Sequence, residues 1–300
     1  MGWIATAALY WGLWHNGHEA DMSSDTTRPR LQLSLGALAL LGEERPSLGG
    51  RRVFAATCRE AGAELLVTLH PAAPEGPTVA AVGDRVVRLK ALAHPGICTP
   101  VAAGNLDGRA WVVEPLLRSP TGLQRLSDGG ALTVRHGILA LRDITRAIAS
   151  LHRAGLTHGA LDLTAIHISP GGAQLAGFGA AVAADPRADL DALGPIAWAC
   201  FTGDLPDGSR VRLSEQRRGI PEGLDSLVAS LLAADQGLRP TRAVAILNAL
   251  DAFPTPLDSP ISSFLEGAGR GTRRPRPRET ALLLVLVGLS VLVSTLVLGR

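Results

Sequence analysis

The chain has 300 residues, 46% of them apolar and 19% charged, with a formal net charge of +2. That length builds one or two domains with a real core, and so small a charge argues against a nucleic-acid surface. Three scattered cysteines, Cys58, Cys98 and Cys200, form no C-x-x-C pair, which argues against a disulfide framework or a zinc site and fits a reducing compartment.

Lys90 is the only lysine; the other 28 of the 29 basic residues are arginine. A coding bias toward Arg, Ala and Gly accounts for this. It leaves one candidate for any chemistry that needs a lysine.

The chain opens with "WIATAALYWGLW" (3–14), which lacks a basic n-region and a small-residue cleavage site and is short for a span. Residues 1–21 read as an over-extended gene start ahead of Met22, with an interfacial anchor as the alternative. The whole of 1–44 reads as a flexible extension.

Residues 45–117 show short β-type runs, "RRVFAATC", "ELLVTLH" and "GRAWVVEPL". Between them "GDRVVRLKALAH" has helical spacing, with Val86, Leu89 and Leu92 on one face. Residues 118–251 are mostly helical. "HGILALRDITRAIASLHRAG" puts Ile138, Leu141, Ile144, Ile148 and Leu151 at 3–4 spacing and ends at Gly155 as a C-cap. "ADLDALGPIAWACFTG", "GLDSLVASLLAAD" and "TRAVAILNAL" read as further helices.

Residues 252–279 are rich in Pro, Gly, Ser and Arg and read as a juxtamembrane linker. Residues 280–298 hold the run "ALLLVLVGLSVLVSTLVL" (281–298), long enough as a helix to span about 27 Å. Arg270, Arg273, Arg274, Arg276 and Arg278 precede it and Arg300 follows. The positive-inside rule then keeps the large N-terminal part cytoplasmic and the C-terminus outside. These arginines also suit anionic lipid heads. No external domain is expected beyond the span.

Across residues 45–251 the chain resembles the bacterial transmembrane Ser/Thr protein kinases. "VFAATCREAGAELLVTLH" resembles the first strands, and "LKALAHPGICTPVAAGNLDGRAWVVEPL" the end of the regulatory helix, its HPxI turn, two strands and the hinge. "LHRAGLTHGALDLTAIHI" falls on the catalytic loop and "QLAGFGAA" on the DFG strand and turn. "ADLDALG" and "LRPT" fall on two later landmarks. The resemblance implies an α+β fold with a small β-rich N-lobe (45–117) and a larger helical C-lobe (118–251), followed by one transmembrane helix.

It also implies where chemistry should sit, and those positions are altered. Phosphoryl transfer relies on positioning and on charge neutralisation around the phosphates and two metal ions. The phosphate-covering loop falls on Gly49, Gly50 and Arg51, out of register, and reads as an ordinary turn or a site for phosphate contact through Arg51. The strand lysine falls at Thr68, and Lys90 is too far along the helix to replace it. The helix glutamate falls at Arg85, beside Asp84. The catalytic loop keeps His158, but the base falls at Ala160, the lysine at Asp162 and the metal-binding asparagine at Ala165. The metal-binding aspartate falls at Gly177, before Phe178 and Gly179. Glu114 and Leu116 fall on the hinge of the vestigial nucleotide cleft. Only nine residues separate Gly179 from Asp189, with no Ser, Thr or Tyr and no APE-like glutamate to pair with Arg239. Asp189 remains where the family braces its catalytic loop.

Two functions follow. The first is a degenerate, catalytically inactive member, a pseudokinase, that acts at the membrane as a cytoplasmic signalling scaffold or regulator. It needs no cofactor and no metal, and its partner is a protein, such as an active kinase or its substrates. The second is a nucleotide-binding Ser/Thr protein kinase with residual or altered activity on ATP with Mg. It would use Asp162, His158 and His167 near the cleft and Arg51 or Arg52 as a phosphate clamp. Against this, Asp162 also reads as a loop residue capping the backbone of Thr164 and Ala165, and His167 as an ordinary strand residue.

Overall fold

The computed structural model describes residues 31–35, 38–45, 51–58, 63–72, 74–169, 172–178, 185–207 and 212–253. The glycines at 49 and 50, the residue at 179, the start at 1–21, nearly all of the 252–279 linker and the apolar stretch 280–298 lie outside them. Among the described residues no helix is long and apolar enough to cross a membrane.

Six strands build one antiparallel sheet: β1 (Leu31–Leu35), β2 (Leu38–Arg45), β3 (Arg52–Cys58), β4 (Glu64–Leu69), β5 (Ala102–Leu106) and β6 (Arg109–Pro115), in the order β1-β2-β3-β4-β6-β5. The sheet therefore begins inside the stretch read as a flexible extension, and the expected boundary at residue 45 moves back to 31. The missed signal is the alternation of "LQLSL", which is strand-like but short.

Helix α1 (Val79–Leu92) connects β4 to β5. It starts four residues before the expected "GDRVVRLKALAH". Thr78 causes this: its hydroxyl accepts the Ala81 N–H and caps the first turn. Val82, Val86 and Leu89 are buried, and so is Arg85 among them. Val82 and Val86 pack on Ala110 and Val112 of β6. The opposite sheet face packs Phe54, Leu65, Val67, Leu69, Trp111 and Val113 together.

The helical part holds α2 (Gly122–Gly129), α3 (Val134–Arg153), α4 (Pro186–Thr202), α5 (Leu213–Gln216), α6 (Glu222–Leu231) and α7 (Ala243–Asp251), with a ribbon of β7 (Ile166–Ser169) and β8 (Gly172–Leu175). The α3 stripe predicted from spacing forms the core, with Ile144, Ile148 and Leu151 fully buried. Gly155, at φ 64, follows the helix end. Leu89 of α1 belongs to this same core, so α1 joins the sheet to the helices.

α3 and α4 pack closely enough that size matters at Gly137. A Cβ there would stand 2.3 Å from the ring of Phe201. Gly137→Ala is therefore expected to destabilise the fold by about 1–3 kcal/mol despite alanine's better helix propensity, read as a lower midpoint in urea unfolding.

Candidate functional site

The segment between α3 and β7 lies under α1, and a buried carboxylate holds its backbone. Asp189, in the first turn of α4, is 1% exposed. Its Oδ2 accepts from the His158 N–H at 2.8 Å and from His152 Nε2 at 2.9 Å, and its Oδ1 accepts from the Gly159 N–H at 2.8 Å. Burial pushes this carboxyl up, but His152 and the two backbone N–H groups outweigh it and hold its pKa below the ordinary carboxylate value.

His158 is fully buried. Its Nε2 donates to the Ala176 carbonyl at 2.8 Å, and its ring lies 4.8 Å from that of Phe178. Burial is the main cause that pulls its pKa down. The ring is a neutral strut between the loop and the end of β8.

The loop positions to which the resemblance assigns the base and the metal-binding asparagine hold small apolar residues. Ala160 and Ala165 have no donor, acceptor or titratable side-chain group. A Cβ on Gly177 would lie 3.9 Å from the Ala165 Cβ, so these two positions face each other across the site. Ala165 contributes a methyl group there and Gly177 only a hydrogen. Asp162 Oδ1 is engaged by its own loop: it accepts from the Thr164 N–H (2.7 Å), the Thr164 hydroxyl (2.6 Å) and the Ala165 N–H (3.0 Å). This donor set does not fit a divalent cation. Among the described residues no cluster of three His, Cys, Asp or Glu is arranged for a metal ion.

The upper wall comes from the sheet and α1. Thr68 pairs with Val112, and Leu66 with Glu114, so these four residues share the face turned to α1. Thr68 is 5% exposed. Arg85 sits on the buried face of α1, where Nη2 donates to the carbonyls of Thr157 (2.7 Å) and His158 (3.2 Å). Burial draws its pKa down, while Asp189 and Glu114 draw it back up. Lys90 points elsewhere and donates to the Val101 carbonyl.

Glu114 is not presented to the cleft mouth. It is 1% exposed, and its Oε1 accepts the Phe178 N–H at 2.9 Å. Burial, helped by Glu114, pushes the neighbouring Cys98 thiol up to about 12. Leu116 is half-buried, and its N–H donates to the Glu64 carbonyl. Arg51 is half-buried at the start of β3, and Arg52 lies over the Phe54 ring at 5.1 Å. His167 Nδ1 donates to the Ser119 carbonyl, and burial pulls its pKa down. Arg239, without an APE-like glutamate, pairs with Asp191 of α4 at 3.1 Å.

The structure thus brings Arg85, Glu114, His158, Asp162, Ala165 and Gly177 around one loop. It adds Arg88, which donates to the carbonyls of Ala154 and Gly155. The signal for an inward role was present for two of these residues. Arg85 lies in the apolar stripe of α1, and Glu114 ends the apolar run "AWVVE".

No protein-family model matches the chain, and no curated protein sequence does. Its fold does match solved structures. One is the protein kinase Rad53 (residues 1–466, crystallised with AMP-PNP), at a TM-score of 0.57 and 20% identity, over 71% of this chain and 64% of that one. The chain therefore spans less than two thirds of that structure's length. The likeness shows a protein-kinase-like fold with a β-sheet N-lobe and a helical C-lobe.

The direction of the Asp189 shift sets an acid limit on this fold. A carboxyl held below its unfolded value stabilises the chain above about pH 3.9, and that contribution is lost as pH falls through the folded pKa. Asp189→Asn is expected to cost about 3 kcal/mol at neutral pH and to flatten the acid limb of a stability–pH curve followed by circular dichroism.

Proposed function

We propose that this chain is a pseudokinase: a kinase-fold binding module that transfers no phosphate. The observation that carries the reading is the pair Ala165 and Gly177. They face each other where metal ligands would be needed, and neither offers an oxygen. The other losses agree with it. Thr68 has no charge to hold a phosphate, Ala160 cannot accept a proton, and the carboxylate nearest the loop, Asp162, is engaged in capping. Catalytic groups that act as a unit do not contribute additively, so no one of them would restore turnover by itself.

A module of this kind acts by presenting a surface to a protein partner, such as an active kinase or its substrates. The apolar stretch 281–298 with its arginine flank would hold it at the cytoplasmic face of a membrane, with the C-terminus outside. Neither a cofactor nor nucleic acid enters this reading.

The alternative, residual phosphotransfer, would draw on Asp162, His158 and His167. Asp162 Oδ1, the buried His158 ring and His167 Nδ1 each already serve the protein's own backbone.

Incubation of the full chain with labelled ATP and Mg²⁺ or Mn²⁺ is expected to give no phosphate incorporation above a heat-killed control, into itself or a generic acceptor. Incorporation that is lost in Asp162→Asn would establish the alternative. In the same preparation, deleting 280–298 is expected to move the protein from the membrane to the soluble fraction.

A further inference from the structure

In the kinase-like cleft the two lobes meet through charged side chains that already have partners. Arg85 and Arg88 stand one turn apart on α1, and both reach down to the segment that follows α3. Together they engage four carbonyls, those of Ala154, Gly155, Thr157 and His158, at 2.6–3.2 Å. The fork of a guanidinium suits this, because it donates in several fixed directions and keeps its charge when buried. Glu114 makes the complementary contact from the sheet, holding the Phe178 N–H. The His158 and Phe178 rings close the circuit. The path runs from α1 through Arg85 to His158, across to Phe178, and back through Glu114 to β6.

The sign of the arrangement is the reverse of what the resemblance implies. There the strand carries the cation and the helix the anion. Here the helix carries Arg85, and an adjacent strand carries Glu114. Both charges bind C-lobe backbone rather than leaving a cation and a metal pair facing open space.

We infer that Arg85, Arg88 and Glu114 form a clasp that fixes α1, the backbone at 154–158 and Phe178 in one closed arrangement, so that the lobes hold a single conformation without nucleotide. This inference rests on the reading of the chain as a binding module. It deepens that reading by fixing its regulation: the surface shown to a partner is constant and is not gated by ATP. Asp189 and Glu114 attract the Arg85 charge while burial and the neighbouring Arg88 oppose it, so the clasp stands on its hydrogen bonds to the carbonyls.

The test is hydrogen exchange of the full chain, read by mass spectrometry. In the unmutated protein, α1 and residues 154–160 should exchange slowly, and magnesium ATP at about 5 mM should change their rates less than about twofold. Arg85→Met is expected to speed exchange about tenfold or more in both segments together, with α2 unchanged. If Arg85→Met fails to fold, Arg85→Lys and Arg88→Met carry the same test, each with coupled loosening of α1 and 154–160. Fast exchange of α1 in the unmutated chain, protection of α1 that appears only with ATP, or loosening of α1 alone in the variants would overturn the clasp. Phosphate incorporation is measured separately. Its appearance would defeat the binding-module reading while leaving the exchange result to stand or fall alone.

Discussion

One buried carboxylate organises the centre of this molecule. Asp189 sits at the start of a helix, where the N-terminal dipole favours negative charge, and gathers two loop N–H groups and one imidazole. With those groups fixed, the His158 backbone turns its ring toward Ala176, and the ring sets the end of β8 and the place of Phe178. Phe178 in turn offers its N–H to Glu114. The loop keeps its shape because this carboxylate holds its backbone from beneath.

The charges of the cleft show a consistent allocation. Arg85, Arg88, Glu114 and Asp162 all bind backbone N–H or carbonyl groups. Burying a charge is costly unless it is hydrogen-bonded, so these contacts are what make the two buried charges among them, Arg85 and Glu114, tolerable there. The same logic appears further out. Arg239 has no APE-like glutamate and pairs with Asp191, while its Nε donates to the Ala233 carbonyl. Here too a charged side chain is held by the chain's own groups.

The helical half was legible because its apolar positions recur at strict 3–4 spacing; α3 is the clearest case, with its stripe in the core and Gly155 at its end. The strands before residue 45 were not, since "LQLSL" is short and its pairing depends on β2, far from any landmark. Order along the chain put Ala160, Ala165 and Gly177 on the loop and the turn after β8. The mutual approach of Ala165 and Gly177 could not be read that way, because it depends on how the β7–β8 ribbon folds back over the loop. Glu114 was the subtlest. Its place beside the hinge suggested a cleft edge, whereas strand alternation puts its side chain on the face it shares with Thr68, turned inward.

The long reach of Arg85 has a consequence for how the chain comes into being. Its carbonyl partners lie 72 and 73 residues downstream. At a synthesis rate of about 5–20 residues per second, a nascent chain waits roughly 4–14 s between making that arginine and making its acceptors. Through that interval Arg85 must stay hydrated, so α1 cannot dock its apolar face fully on the sheet. The N-lobe of this protein is therefore finished only after the start of the C-lobe has emerged from the ribosome, and the two halves mature as one folding unit.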